Sequence, residues 1–461
     1  MSRSTPSGSE PVSDRHAPCP RRGADRTKRG LWEFSGLVLG ANSNARSGGF
    51  GFASRAPAAS KSEPKLVRHS EPAHGIVFSR TGGGKFVSTI APNVFAHRGP
   101  LFVVDPKGEI AAVTARHRRT LGDVIIVDAF EVLGPNSGLM NPMDVFHLPG
   151  INVEDSAETL AWELSAGHES SKDPFWQNTA TALIAGLVAS AALDPDPSRR
   201  HLGTVVDALS SDDVTYSLAV ALDTKKIYSE FAKKRVAEYL QVPDGSASTR
   251  GCILASAQQY IHCMQADRVR RTIETSSFNL ADVLSGERIV TVYFVFPVTK
   301  FKSHRGLLRL WLSTLFTTLA ARASMPERQT LVVIDEAANL GRLDQLASMH
   351  TFLRGSGVSL LTAWQSLGQL SDLYPSEWRT IVENCGVIQA FSLHATAIDA
   401  LATLLGVTPT VLRSLSKDEQ LVAVADQPPE VFERIDYRTH PAFRHLADPN
   451  PRYQKRQGNV R

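Results

Sequence analysis

Cysteine is scarce in this chain: four residues in 461, at Cys19, Cys252, Cys263 and Cys385. No two of them have zinc-site spacing, and nothing in their placement resembles a disulfide framework. That excludes a small cross-linked secreted domain and points to a reduced, cytosolic setting. The fourteen histidines include no HExxH pattern, and the adjacent His262 and Cys263 have no partner pair at ligand spacing, so no structural metal is expected. Long apolar runs are lacking as well. The best candidates, Ala180–Leu193 and Gly306–Ala320, are too short or carry a charge (Arg309), and both read as buried helices rather than membrane spans. Met1–Gly30 is polar and charged, without the apolar stretch of a secretory signal.

What is present is a large amount of core-forming sequence. At 42% hydrophobic the chain can bury a sizeable interior, and its length corresponds to about two to four domains. The net charge of +4 is unevenly spread: residues 1–29 hold seven Lys/Arg against three Asp/Glu, and residues 445–461 hold four against one. The body is therefore slightly acidic and the ends are basic. Those ends read either as solvated surface or as contacts to nucleic acid or anionic lipid; with few aromatics they offer no stacking platform.

Residues 1–60 form a basic N-terminal region and lead-in, rich in Ser, Pro and Arg, then in Gly, Ala and Ser, with one short ordered piece expected at Leu37–Gly40. From 61 to 149 the texture is α/β. Gly75–Ser79 is a strand candidate, Lys85–Phe95 a helix that Pro92 should shorten, and Leu101–Asp105 and Val124–Asp128 are apolar runs ending in a carboxylate. Uninterrupted β-branched runs imply strands covered on both faces. Residues 150–274 read as an all-helical insertion, with helices over Asn152–Leu193, Leu202–Leu222, Lys225–Leu240 and Ile253–Val269 and a break at Val242–Ser248. The α/β texture returns over 275–440: strands at Arg288–Phe296, Thr330–Asp335, Val358–Trp364 and Val387–Phe391, helices at Arg305–Ala323, Gln345–Gly355 and Ala397–Leu405, and an edge strand at Gln420–Ala425. Residues 441–461 read as a basic C-terminal tail.

The chemistry sits at the ends of strands. Gly75–Lys85 reads GIVFSRTGGGK, a strand entering a glycine-rich turn that ends in lysine. Such a turn aims backbone N–H groups at phosphate oxygens, with Lys85 adding charge toward the β- and γ-phosphates. Thr81, Gly82, Gly83, Gly84, Lys85 and Phe86 are the expected nucleotide cradle. Against the GxxxxGK[ST] form, Ser79 replaces the first glycine and Phe86 the hydroxyl that holds magnesium. TLVVIDE at Thr330–Glu336 is a strand delivering two carboxylates: Asp335 to hold magnesium, directly or through water, and Glu336 to polarise the attacking water. Gln365, at the end of the next strand, would sense the γ-phosphate, orient water, or simply cap the strand. Asp105, Lys107 and Glu109 in DPKGE follow a strand too, either facing the crevice with Asp105 near the metal shell or making an ordinary salt-bridged turn. Arg342 and Arg354 are candidates for a group acting on a neighbouring subunit, since the planar guanidinium fork matches a γ-phosphate. Arg268, Arg270 and Arg271 form a cluster suited to DNA backbone or to solvent.

Taken in order, these residues resemble the TraG-like family of type IV secretion coupling proteins, the conjugative DNA-transfer ATPases. SRTGGGKF at Ser79–Phe86 is similar to that family's GPTRSGKG loop, and IAPN at Ile90–Asn93 to its IPN turn. DPKGE at Asp105–Glu109 matches outright. Asn141-Pro142, Phe175-Trp176, IDEAANLGR at Ile334–Arg342, Gln365 and Asn384-Cys385 follow in the family's order, over roughly residues 33–425. The resemblance implies a RecA-like P-loop NTPase domain with an inserted all-helical domain that recognises substrate. It implies ATP and Mg2+ as cofactors, Lys85, Glu336 and Gln365 as catalytic groups, and an arginine reaching a neighbouring active site without fixing which one; Arg342 is taken as that catalytic candidate, with Arg354 the other. It further implies a homo-hexamer at the cytoplasmic face of the inner membrane, delivering relaxase-bound single-stranded DNA, or protein substrates, to a secretion channel. Double-stranded DNA is a further partner to be expected of such a motor. The alternatives are a general DNA-translocating ATPase and a nucleotide-binding adaptor with little hydrolysis. The chain departs from the family at Ser79, at Phe86 (often glycine in the family, with Ser88 or Thr89 one turn on) and in showing none of the usual N-terminal transmembrane helices.

Overall fold

In the computed structural model the described residues are 36–42, 65–166, 174–242 and 247–452, and they belong to one compact unit. Eleven strands are present among them: β1 (Val38–Asn42), β2 (Lys65–Arg68), β3 (His74–Phe78), β4 (Leu101–Asp105), β5 (Asp123–Val127), β6 (Val290–Val295), β7 (Thr330–Ile334), β8 (Val358–Trp364), β9 (Cys385–Ala390), β10 (Glu419–Val424) and β11 (Glu430–Glu433). They form a single sheet in the order β2-β1-β11-β10-β9-β3-β8-β7-β4-β6-β5. From β9 to β5 every neighbouring pair is parallel. The remaining four strands extend the sheet antiparallel beyond β9.

The apolar runs of the parallel strands follow from cover on both faces. Val77, Val103, Leu331, Val333 and Ala363 point to one side, where they pack with Ile90, Val94, Ile110 and Ala111 of two helices. Ile76, Phe78, Val104, Phe294, Val332 and Ile334 point to the other, into the larger core beneath helix Phe301–Ala320. There Trp311 stacks on Phe294 and its indole N–H donates to Met140 O at 3.0 Å.

Between β5 and β6 the described residues contain helices and no strand. Helices Val153–Ser165 and Pro174–Ala192 lie in the stretch expected to be helical, their junction falling outside the described residues. The stretch Leu202–Leu222 is two helices, Leu202–Leu209 and Val214–Asp223, because Asp213 caps the second by accepting from the Tyr216 N–H. Similarly Ser229 accepts from Ala232 N–H and starts the next helix at Glu230 instead of Lys225. The helix beginning at Ala247 runs to Ile261, and after a single 3-10 turn the chain resumes as helix Asp267–Glu274. Part of the break expected at Val242–Ser248 lies outside the described residues.

Two further expectations need correction. Gln420–Ala425 is not an edge: β10 is paired on both sides, with β9 and β11. The short β11, following Pro428-Pro429, shows little strand pattern by itself, so the antiparallel extension escapes a local reading. The supposed basic tail also does not begin at 441. Phe443 is buried against Phe95 and Tyr437, and the Asp448 N–H donates to Val113 O at 2.9 Å, so packing continues through this segment. Met1–Ser35 and residues 453–461 lie outside the described residues.

Candidate functional site

β3 lies between β9 and β8, and β8 separates it from β7. The carboxyl ends of these parallel strands open on one crevice, the place where open α/β sheets hold ligands. The loop after β3 is fixed by its own backbone: Ser79 N–H donates to Trp364 O at 3.0 Å, Gly83 N–H to Arg80 O at 3.0 Å, and Ser88 N–H to Gly84 O at 2.9 Å. Gly82 and Gly84 have φ of +72° and +93°, which only glycine adopts freely. A side chain at Gly84 would also strike the Arg434 guanidinium. Ser79, by contrast, is not among the residues with positive φ, so serine at the loop's first position carries no backbone strain of that kind.

The loop runs into a helix whose first turn is wound as a π-helix, Phe86–Ile90, continuing as an α-helix, Ala91–Ala96. Pro92 does not shorten it. The Ala91 N–H reaches back to Phe86 O, and Pro92 falls in the first turn of the α segment, where a missing N–H is tolerated.

Three side chains from three strand ends converge. The Lys85 ammonium donates to Ser79 O at 2.8 Å and lies 3.6 Å from Glu336 Oε1; the two side chains are 6% and 11% exposed. Gln365 Nε2 donates to Glu336 Oε2 at 2.9 Å. The strand between β3 and β7 is what makes this arrangement: β8 carries Gln365 into the gap between lysine and glutamate. Glu336 adopts φ 55°, ψ 54°, a left-handed conformation unusual for a non-glycine residue and concentrated at functional sites. Beside it Asp335 is buried, and burial, reinforced by the neighbouring Glu336 charge and opposed by Lys85, raises its carboxyl to about 7.

These groups line a cavity of about 770 Å³, bounded by Gly82–Ser88, Asp335 and Glu336 on one side and by the C-terminal segment on the other. Lys107 and Glu109 of DPKGE reach it as well. Two candidate residues do not: Thr81 of the cradle is exposed at the loop tip, and Asp105, read as either near the metal shell or part of a turn, is turned inward. The Asp105 carboxylate accepts from the N–H groups of Lys107 (3.3 Å) and Ala111 (2.9 Å), holding the start of helix Glu109–Arg119, and burial pushes its carboxyl up to about 6. Phe86 lines the cavity, and its ring meets Tyr437 edge-on at 5.5 Å. Ser88 and Thr89 are both buried, Ser88 Oγ accepting from Arg434 at 3.0 Å.

Arg342 lies away from this cluster, held by Asp344 (2.6 Å) and Glu377 (2.8 Å) over the Tyr374 ring. Arg270 is likewise engaged, by Asp207 and Glu274, and Arg268 sits over Phe130. The residue that local reading missed is Arg434. It donates to Gly83 O at 2.7 Å, Ser88 Oγ at 3.0 Å and Lys417 O at 2.8 Å, and lies 4.2 Å over the Phe391 ring. It stands far along the chain from the loop, and no motif marks it.

The family model for type IV secretory system conjugative DNA transfer matches residues 46–428. The chain belongs to that family. Among its relatives, it is 26% identical over 307 residues to the probable conjugal transfer protein TraG of Sinorhizobium fredii (strain NBRC 101917 / NGR234), covering 65% of this chain and 47% of that protein. It is 23% identical over 324 residues to the type IV secretion system-coupling protein VirD4 of Bartonella henselae, covering 68% and 50%. The chain thus spans about half the length of the curated relatives it matches. Among solved structures, the plasmid coupling protein TrwB in complex with ADP and Mg2+ superposes with a TM-score of 0.61 at 16% identity, over 81% of this chain and 88% of that one. The fold of this family member is accordingly the RecA-like P-loop NTPase fold with a helical insertion. No helix of the described residues is long and apolar enough to cross a membrane.

Proposed function

We propose that this chain is the ATP-hydrolysing motor of a conjugative coupling protein, delivering relaxase-bound single-stranded DNA, or protein substrates, to a type IV secretion channel. The observation that carries this reading is the Lys85–Glu336–Gln365 constellation at the end of a glycine-rich loop. The loop N–H groups and Lys85 would bind the triphosphate. Glu336, held on one oxygen by Gln365 and near Lys85 on the other, would orient water against the γ-phosphate. The donor set fits a magnesium ion: Asp335 is a buried carboxyl crowded by Glu336, relieved by a cation, and magnesium is commonly held by one or two carboxylates plus substrate phosphates. Bound there with the nucleotide, magnesium would offset charge on the phosphate oxygens. Phe86 adds no oxygen ligand.

The division into nucleotide-binding parts (61–149 and 275–440) and a substrate-recognising helical domain (150–274) belongs to the same proposal. So do the homo-hexameric ring, a peripheral position at the inner membrane through partner proteins, and a trans role for Arg342, which would have to leave Asp344 and Glu377. Lys85→Ala and Glu336→Gln should abolish DNA-stimulated ATP hydrolysis; wild-type turnover in both would sink the assignment. Steady-state ATPase with single- and double-stranded DNA over a salt series separates a DNA motor from a protein carrier, since phosphate contacts weaken steeply with salt. Phe86 favours a second reading, an adaptor that binds nucleotide and turns it over slowly. A large gain in turnover in Phe86→Thr would mark the missing hydroxyl as the limit.

A further inference from the structure

The cavity has two walls of different chemistry. The loop wall, with Lys85, Asp335 and Glu336, suits phosphates and a cation. The opposite wall is built by the chain after β11, which crosses the mouth as a strap. Arg434 ties its beginning to the phosphate loop through Gly83 O and Ser88 Oγ. Its far end is tied to the helix after DPKGE, by Arg116–Asp448 at 2.5 Å, by the Asp448 N–H to Val113 O and by Arg452–Glu109 at 3.5 Å. Between these anchors Tyr437 and Phe443 are buried, and Phe86 packs against Tyr437. The strap is therefore a built wall, held at both ends to elements that also face the cavity.

A nucleotide is longer than its phosphates. With these on the loop, its nucleoside must meet the remaining lining, and the strap offers mixed surfaces: Ile435, Tyr437, Ala447 and Pro449 are apolar or aromatic, Asp436 (paired with Arg438) and Asn450 carry hydrogen-bonding groups, and Arg438 and Arg444 add charge. Resting on the reading of this cavity as a nucleotide site, we propose that residues 434–450 are the nucleoside-binding wall. Arg434 is the positioning residue that sets its distance from the phosphate loop. Phe86 then has a role of its own: at the position where a hydroxyl is usual, its ring anchors the strap.

ADP carrying a photoreactive azide on the adenine ring, cross-linked to the full chain and mapped by peptide mass spectrometry, tests the wall directly. Label within 434–450 is expected; label confined to other segments overturns the proposal while leaving the nucleotide site standing. Failure of the wild-type chain to bind ADP at all overturns both. Arg434→Ala and the milder Arg434→Lys are then compared for ADP and for inorganic pyrophosphate. Loss of placement should weaken ADP by about tenfold, the scale of one charge-assisted contact, and pyrophosphate less, so that the ratio of the two affinities shrinks. Equal weakening of both ligands would make Arg434 a support of the loop alone and overturn its positioning role.

Discussion

Glu336 is held at the scale of single atoms. Its backbone sits in a left-handed conformation costing about 1–3 kcal/mol for such residues, and its two oxygens face different partners. Removing the Gln365 amide frees one oxygen without touching the phosphate loop. With Glu336 in its proposed role of orienting water for ATP hydrolysis, Gln365→Ala should therefore lower kcat by about tenfold or more with little change in KM, the pattern of a lost positioning contact; an unchanged kcat would assign Gln365 to strand capping. A second residue-scale prediction concerns buried histidines. His74 and His350 face each other with ring centroids 5.4 Å apart, and burial lowers them to about 3 and about 4. His74 Nδ1 accepts from the Leu360 N–H, which holds that nitrogen unprotonated, while His350 Nδ1–H donates to Leu346 O, a contact that favours the charged form but is outweighed by burial. Arg354 acts on His74 in the same direction, against protonation. The unfolded chain protonates them near 6.5, and the folded state resists until much lower pH. At these two sites the unfolded state then binds more protons, so their contribution to stability should fall as pH drops from about 6.5 toward 4, by roughly 1 kcal/mol per pH unit per histidine, while the raised Asp335 and Asp105 carboxyls act in the opposite sense. His97 and His117, lowered to about 3 and about 4, add to the same slope. Urea midpoints across this range check it, and His350→Gln should flatten the dependence.

At the scale of elements, the start of helix Glu109–Arg119 depends on a carboxylate placed before it. Asp105, at the end of β4, accepts from the Lys107 N–H in the turn before the helix and from the Ala111 N–H in its first turn. Sequence motif reading offers the DPKGE aspartate either to the metal shell or to an ordinary turn; its orientation makes it a cap. Asp105→Ala should destabilise the fold by about 1–3 kcal/mol, by leaving buried donors unpaired, as read by chemical denaturation. ADP affinity should suffer far less than in Lys85→Ala. A collapse of magnesium-dependent binding at unchanged stability would return Asp105 to the metal shell. The loop helix shows the same dependence on context. A π turn and a proline, each disfavoured alone, succeed together because the altered hydrogen-bond register places Pro92 where no N–H is needed.

For the whole molecule, the helical insertion is joined to the α/β core through the layer beneath the sheet. Helix Val153–Ser165 packs on helix Phe301–Ala320, and across that contact Glu163 and Arg309 form an ion pair at 2.9 Å with side chains 1% and 2% exposed. Arg309 also donates to Ala166 O at 3.1 Å. Burial pushes the Glu163 carboxyl up by more than the guanidinium draws it down, so the pair is specific more than stabilising. Glu163→Ala should destabilise by about 3–5 kcal/mol, since it leaves a buried guanidinium without its carboxylate. The double replacement Glu163→Leu with Arg309→Met should recover most of that loss. A double-mutant cycle in guanidinium chloride measures the coupling, and additive losses would disprove it.

The parallel sheet was legible in the sequence because strands covered on both faces must be apolar without alternation, and that pattern is local. The phosphate loop, the Asp335-Glu336 pair and Gln365 were legible for a related reason: each lies at the end of such a strand, so spacing alone aims them at one crevice. Tertiary structure alone decided the rest. Arg434, Tyr437 and the strap reach the cavity only because four antiparallel strands extend the sheet past β9 and return the chain over the phosphate loop. No short-range pattern encodes that return; pairing between distant segments and burial of Phe443 and Tyr437 against Phe95 bring it about. Phe86 shows the difference most plainly. In sequence it is a missing hydroxyl, and in the fold it is a ring packed on Tyr437, because what a side chain does there depends on a surface supplied from the other end of the chain.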